Sequence, residues 1–259
     1  MRINRLLIVP KLDKLEEYSN LAKAYNCGFE YNDFFLPEVL DDSQGLERRV
    51  ESYLSSNMLP EYTTLHGAFL DVNIASSDKE IFNVSDKRIR QSMEVASKLG
   101  VTAVVFHTNY IANFLQESYR ESWVASNVVY WKEILKEYPN INIYIENMFD
   151  MDWELLLKLG QAMKDETNFG ICLDYAHAGV FGDETKVAEW VVELAPYVKH
   201  IHINDNDFVS DLHQALGDGN IDWHYFKELY NTYLNKASVL IEVSDIEKTK
   251  KSLEFLRNI

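Results

Sequence analysis

The stretch HIHINDNDFVSDLH, residues 200–213, holds three histidines and three aspartates and neither Lys nor Arg. The whole chain has only seven histidines. Extended back to Val198, its first half reads as the short β-like run VKHIHIND, and its second half as a polar loop. A strand that ends in side chains able to bind a metal, followed by a loop carrying more of them, raises one question. Do the other strands end the same way?

Composition sets the frame. A chain of 259 residues suits two small domains or one large α/β barrel. With 47% hydrophobic residues it can bury a large core. Its formal charge of −16, from 25 basic and 41 acidic residues, argues against nucleic acid or an anionic membrane as the main partner. Cys27 and Cys172 sit in apolar runs and read as buried free thiols of a cytoplasmic protein. MRINRLLIVP is too short and lacks the cleavage site of a secretion signal, and no run is long enough for a membrane span. A homo-oligomer is compatible with all of this.

Eight β-like runs recur along the chain: 3–9, 27–31, 63–69, 102–108, 141–147, 169–175, 198–205 and 238–243. Several are nearly continuous apolar stretches, as expected of parallel strands covered on both faces. Helical spacing recurs between them over 13–26, 85–100, 121–139, 153–164, 185–196, 222–234 and 245–258. Ser85 is the expected N-cap of the second of these and Gly100 its C′ residue. No Gly-rich phosphate turn follows the first run, which goes on to PKLDK, so an open doubly wound sheet is disfavoured. The expectation is a single (β/α)₈ barrel over residues 1–259.

The opening question then has an answer. In such a barrel the site lies at the C-terminal ends of the strands. His66, His107, Glu146, Asp174, His202 and Glu242 fall at or near six of those ends, and His177, Asp211 and His213 follow closely. A lone histidine at a strand end is more often a hydrogen-bonded core residue than a ligand, and a lone strand carboxylate can pair with a distant Arg. Nine such residues at matching positions are harder to explain that way. Glu146 in IYIENM and Glu242 in VLIEVS need a compensating cation, and a divalent metal suits a region poor in Lys and Arg. His200 lies one layer deeper than His202 and reads as structural; His224 sits on a helix and reads as surface.

The stretches LHGAFLDVN, VVFHTNY, IYIENM, GICLDYAHAG, HIHINDND, DLHQALGDGNIDW and LIEV run in this order from about residue 60 to the end. Together they resemble the xylose isomerase-like barrel superfamily, which contains sugar isomerases and epimerases and also endonuclease IV. The resemblance implies one to three divalent ions, zinc, manganese or magnesium. It distributes the ligands as His66, His107 and Glu146; Glu146, Asp174, His202 and Glu242; and His177, Asp211 and His213. The second set is the one shared with single-metal sugar epimerases.

Two enzymes fit. In a carbohydrate isomerase, epimerase or related lyase, Glu146 and Glu242 would move a proton beside a metal-polarised carbonyl, with His177 orienting a hydroxyl or helping the proton along. In an endonuclease IV-like phosphodiesterase the ions would assist hydrolysis of abasic DNA, and Phe69 and Leu70 would match that enzyme's DNA-entering pair. Apart from Lys79, Arg120 and Lys186 the mouth loops lack cations for phosphates, and aromatic residues are plentiful. Phe69, Phe34, Tyr110 and Trp153 are the expected sugar-binding faces, although about half of the mouth aromatics should pack the loops together. A small, non-phosphorylated carbohydrate is therefore the expected substrate. A ligand-binding barrel without catalysis is a third class, disfavoured because buried carboxylates without a task are a liability.

Overall fold

The computed structural model describes residues 3–56, 59–69 and 71–259. Eight strands form a closed barrel in chain order: β1 Leu6–Ile8, β2 Cys27–Tyr31, β3 Thr63–His66, β4 Ala103–His107, β5 Asn142–Glu146, β6 Phe169–Asp174, β7 Val198–Ile203 and β8 Ser238–Ile241. Every neighbouring pair is parallel, and β1 joins β8 with Leu6 opposite Val239. The (β/α)₈ expectation holds. Among the described residues no helix is long and apolar enough to cross a membrane.

The strand period of two decides what faces inward. Val104, Ile143, Ile145, Ile171, Ile201 and Val239 belong to the large core shared with the surrounding helices. Their alternates Ala103, Val105, Tyr144 and Cys172 cluster separately, as do Leu7, Val9 and Leu240, and these fill the barrel's inside. His107, Glu146, Asp174 and His202 share the inward parity of the second set. A single change of register would have turned them into the helix layer.

Among the described residues ten α-helical segments surround the barrel: α1 Leu15–Tyr25, α2 Pro37–Asp41, α3 Ser43–Leu54, α4 Lys79–Leu99, α5 Glu117–Glu137, α6 Glu154–Ala162, the single turn α7 Tyr175–His177, α8 Val187–Leu194, α9 Trp223–Leu229 and α10 Ile246–Asn258. Two departures from expectation have local causes. Residues 32–62 carry α2 and α3 where no helix was expected: Pro37 stands at the start of α2, and Asp42 caps α3 by accepting the Gly45 N–H at 3.0 Å. Helix α4 starts at Lys79 because Asp78 accepts the Glu80 N–H at 2.8 Å. Ser85 is therefore not the cap. It lies buried within the helix, accepting the Asn73 N–H at 2.7 Å and donating to the Ile81 carbonyl at 2.8 Å. Gly100 ends the helix in the left-handed region, φ 69°, as expected.

The loop between β7 and α9 is built on one residue. Asp205 is fully buried and accepts hydrogen bonds from the Gly217 N–H and Trp223 Nε1 at 2.8 Å each, and from the Asn206 and Ile221 N–H groups at 3.0 and 3.2 Å. Its backbone pairs with Gln214 in both directions, at 3.0 and 2.9 Å. Thus one of the three aspartates of the opening stretch fixes the loop that carries Asp211 and His213. Asp205→Ala leaves several buried donors unsatisfied and is expected to lower unfolding free energy by about 3 kcal/mol. A urea-denaturation loss under about 1 kcal/mol would show that the loop does not depend on this carboxylate.

Candidate metal centre

Glu146, at the end of β5, is central. Its Oε2 lies 3.5 Å from His66 Nε2 and 3.4 Å from His107 Nε2. Its Oε1 lies 3.1 Å from His202 Nδ1, which is itself 3.4 Å from Glu242 Oε2. Asp174 completes this second group, and all four offer ligand atoms within 4.8 Å of one another. The third group is tied through Asp211 Oδ2, 3.3 Å from His177 Nε2 and 3.1 Å from His213 Nε2. The structure thus brings together all nine residues singled out from the sequence, in the three groups implied by the resemblance.

Backbone carbonyls hold three of the histidines. His66 Nδ1 lies 3.0 Å from the Gly67 carbonyl, His177 Nδ1 3.0 Å from that of Asn147 and His213 Nδ1 2.8 Å from that of Glu242. With Nδ1–H donating to a carbonyl, each ring presents Nε2 to its group. Asn147 also braces Asp174, accepting its N–H and donating to its carbonyl, both at 2.9 Å. Asp174 Oδ1 caps the turn α7 by accepting the His177 N–H at 2.7 Å, which leaves Oδ2 for the centre. His213 reaches in only by adopting φ 44°, a left-handed conformation that costs a residue with a Cβ about 1–2 kcal/mol.

The donor set fits divalent cations. Glu146 Oε2, Asp174 Oδ2, Glu242 Oε2 and Asp211 Oδ1 are buried with no hydrogen-bond partner among the described residues. Among the described residues the ion pairs of these carboxylates are with histidines and not with Lys or Arg. Buried carboxylates left in this state are costly, and a cation resolves them.

The chain matches the family described as xylose isomerase-like TIM barrel over residues 21–259. It belongs to that family. An uncharacterized protein, MJ1311, of Methanocaldococcus jannaschii is 28% identical over 204 residues, 74% of this chain and 68% of its own length. A probable endonuclease 4 of Mycobacterium marinum is 25% identical over 252 residues, 92% of this chain and 93% of that one. Among solved structures, a D-tagatose 3-epimerase-like protein superposes with a TM-score of 0.75 at 25% identity, covering 98% of this chain and 96% of that one. The TTHB071 protein from Thermus thermophilus, soaked with ZnCl2, shares the fold with a TM-score of 0.75 at 23% identity and coverage of 98% and 96%. This xylose isomerase-like family therefore includes both sugar enzymes and endonucleases in its neighbourhood.

Charge is unevenly distributed over the centre. Burial opposes ionisation of Glu146 and Glu242, but the adjoining histidines win and hold both carboxyls below their ordinary range. Burial dominates at Asp174 and raises it to about 7. It also depresses His107. At His177 and His213 burial opposes the charged form, yet Asp174 and Asp211 around the first and Glu242 and Asp211 around the second raise both to about 10.

Above the ligands lies a cavity of about 310 Å³. Phe35 and Phe69 form its aromatic wall, and Lys11 is the one Lys or Arg among its described lining residues. Phe69 alone of the four expected sugar-binding aromatics lines it. Phe34 is buried against Tyr53, Tyr110 packs on Tyr119 and Trp123 with its hydroxyl on the Phe114 carbonyl, and Trp153 faces Trp190. Leu70 lies outside the described residues. Of the expected rim cations, Lys79 opens α4, Arg120 is buried against Asp152 and Glu154, and Lys186 pairs with Asp183. His224 is exposed, as expected of a surface helix position. A larger cavity, about 500 Å³, opens at the opposite end of the barrel near Arg5 and Tyr62 and holds none of the nine.

Sequence reasoning missed Lys11 and Glu30. Lys11 hides in PKLDK, directly after β1, where only the missing glycine turn draws notice. Glu30 is the one charged residue of CGFEY, and a carboxylate in the middle of an apolar strand is itself a signal.

Proposed function

We propose that the protein is a divalent-metal-dependent isomerase or epimerase of a small carbohydrate. The observation that carries this reading is the setting of Glu146 and Glu242: two carboxylates held below their ordinary range within one ligand group, the first buried and the second on the wall of a small cavity with aromatic walls. A divalent cation there would polarise a substrate carbonyl and offset the charge that develops on its oxygen. Glu242, on the cavity wall, would take a proton from the adjacent carbon, and Glu146, buried beneath it, would return one. His177 lines the cavity and would orient a substrate oxygen through Nε2, the nitrogen it now turns to Asp211 at 3.3 Å. Phe35 and Phe69 give the apolar face of a sugar ring a surface to lie on.

The mouth supports a small substrate over a polymer. Ile111, Phe114, Leu115, Phe149, Met151 and Val209 project into solvent from its loops, and Arg120 and Lys186 are committed to carboxylates. A duplex needs several free cations to neutralise its phosphates. Lys11 could serve one anionic group.

A second reading has its own support. His66 and His107 beside Glu146, and His177, Asp211 and His213 as a third group, exceed what a single-ion epimerase requires. They favour an endonuclease IV-like phosphodiesterase. One paired assay decides. Purified protein loaded with zinc, manganese or magnesium is offered neutral ketoses in deuterated water, and separately a duplex with an abasic site at low salt. The expected result is metal-dependent deuterium uptake at the carbon next to the carbonyl, with little incision. Efficient incision without exchange across the sugars would replace the first reading with the second.

A further inference from the structure

Beneath the metal centre lies a polar chain. Glu30 on β2 is fully buried and faces the barrel's interior with Thr64, His200 and Ser238. Its Oε2 accepts from Thr64 Oγ1 at 2.7 Å and lies 3.1 Å from His200 Nε2. His200 Nδ1 meets Ser238 Oγ at 2.7 Å, and because the Glu30 carboxylate can only accept, the imidazole proton lies on Nε2, directed at Glu30. The other oxygen, Oε1, lies 3.1 Å from His202 Nε2, off the in-line direction. The approach is an ion-pair contact and not a formed hydrogen bond, and neither atom has a hydrogen-bond partner among the described residues. On its other side His202 turns Nδ1 to Glu146 Oε1 and Glu242 Oε2, at 3.1 and 3.4 Å.

We infer that Glu30 is the positioning residue of the metal centre, holding the His202 proton on Nε2 so that the Nδ1 lone pair is aimed at the ion shared with Glu146, Asp174 and Glu242. This rests on the centre holding a metal and not on which reaction the metal serves. His202 differs here from His66, His177 and His213, whose far nitrogens rest on backbone carbonyls. A carboxylate in that place fixes the tautomer more firmly and makes the ring a better donor. A charge so deeply buried also needs a cation, and a divalent ion on the far side of His202 would supply one. Ser238, His200 and Thr64 in turn hold Glu30 in one orientation.

Cys172, His200 and His202 also stand within 4.8 Å of one another and could be read as a second, deeper metal site. His200 argues against that, because both of its ring nitrogens are already engaged, by Ser238 and by Glu30.

Glu30→Gln is the test. A glutamine can accept on one oxygen only, and its amide NH2 beside His202 favours the opposite tautomer, with the proton on Nδ1. Zinc affinity of the full chain, measured by competition with a chromophoric chelator, should fall about 10- to 100-fold. The rise in Tm on adding zinc should shrink, and ¹⁵N spectra should lose the single Nε2–H signature of zinc-bound His202. An affinity within twofold of the parent, or an equal loss of Tm with and without zinc, would overturn the assignment. If Glu30→Gln does not fold, Thr64→Val and Ser238→Ala loosen the clamp while keeping the carboxylate. Each should cost a few-fold in zinc affinity, and unchanged affinity in both would equally overturn it. Failure of the sugar-exchange assay would leave this result standing.

Discussion

Glu146→Gln will abolish measurable turnover, a fall of at least about 10³-fold, and will lower the bound metal at the same time. Among the nine, Glu146 alone joins two of the three groups implied by the resemblance. Its Oε2 faces His66 and His107 while its Oε1 faces His202, so an amide in its place spoils both groups at once. The loss is not one of folding. Glu146 contributes its backbone to β5 whatever its side chain, but His202, His107 and His66 lose the carboxylate charge that they hold ionised. Circular dichroism should therefore be unchanged while the metal-free Tm falls. Glu146→Asp tests reach separately: the shorter side chain cannot serve both groups and should lose metal from one of them. Full metal content with full turnover in Glu146→Gln would mean that the centre lies elsewhere.

Zinc will bind the group of His177, Asp211 and His213 far more weakly at pH 7 than at pH 9. Both imidazoles titrate at about 10 in the metal-free protein, so each holds a proton at neutral pH that a metal must displace. Affinity should rise by up to about tenfold per pH unit for each proton released, and so by up to about 10⁴-fold over that interval. Zinc titrations in buffers of different ionisation enthalpy would count the protons. The same shifts act on stability with the opposite sense. A histidine whose folded pKa is raised contributes stability that is complete below about 6.5, its unfolded value, and is lost as pH climbs through about 10. Metal-free protein should thus melt at progressively lower temperature from pH 7 to 10, while the zinc-loaded form does not. An affinity independent of pH in this range would remove the charge assignment at His177 and His213.

Why the nine were legible and their support was not follows from how a barrel is made. Each strand-end residue stands out because a charged or imidazole side chain closes an apolar run, and the barrel's geometry turns that one-dimensional mark into convergence. Glu30 and His200 carry the same chemistry one pleat lower. Nothing in one sequence says that two inward residues on β2 and β7, 170 positions apart, meet across the interior. Asp205 reads with the metal-liking side chains of its stretch, yet its four hydrogen bonds run to backbone and indole groups of a loop whose path no periodicity encodes. The aromatics were the least legible. Phe34 and Phe35 are adjacent, but the turn into α2 sends one ring against Tyr53 and leaves the other on the cavity wall. Helices α2 and α3 escape notice because their signals, a proline and an aspartate cap, lie within a stretch that reads as an acidic loop.

The barrel's seam joins its first strand to its last, with Leu6 opposite Val239, and Glu242 comes directly after that last strand. A chain emerging from the ribosome meets its N-terminal strand first, so β1 must wait, unpaired on one edge, until β8 has been made. Five of the six strand-end ligands are synthesised before the ring can close, and the sixth arrives with the closing strand. Assembly of the nascent barrel and completion of its central ligand set are thereby the same late event. Metal added during translation has no finished central site to enter, and an edge strand left open in the meantime is exposed to mispairing with a neighbouring chain.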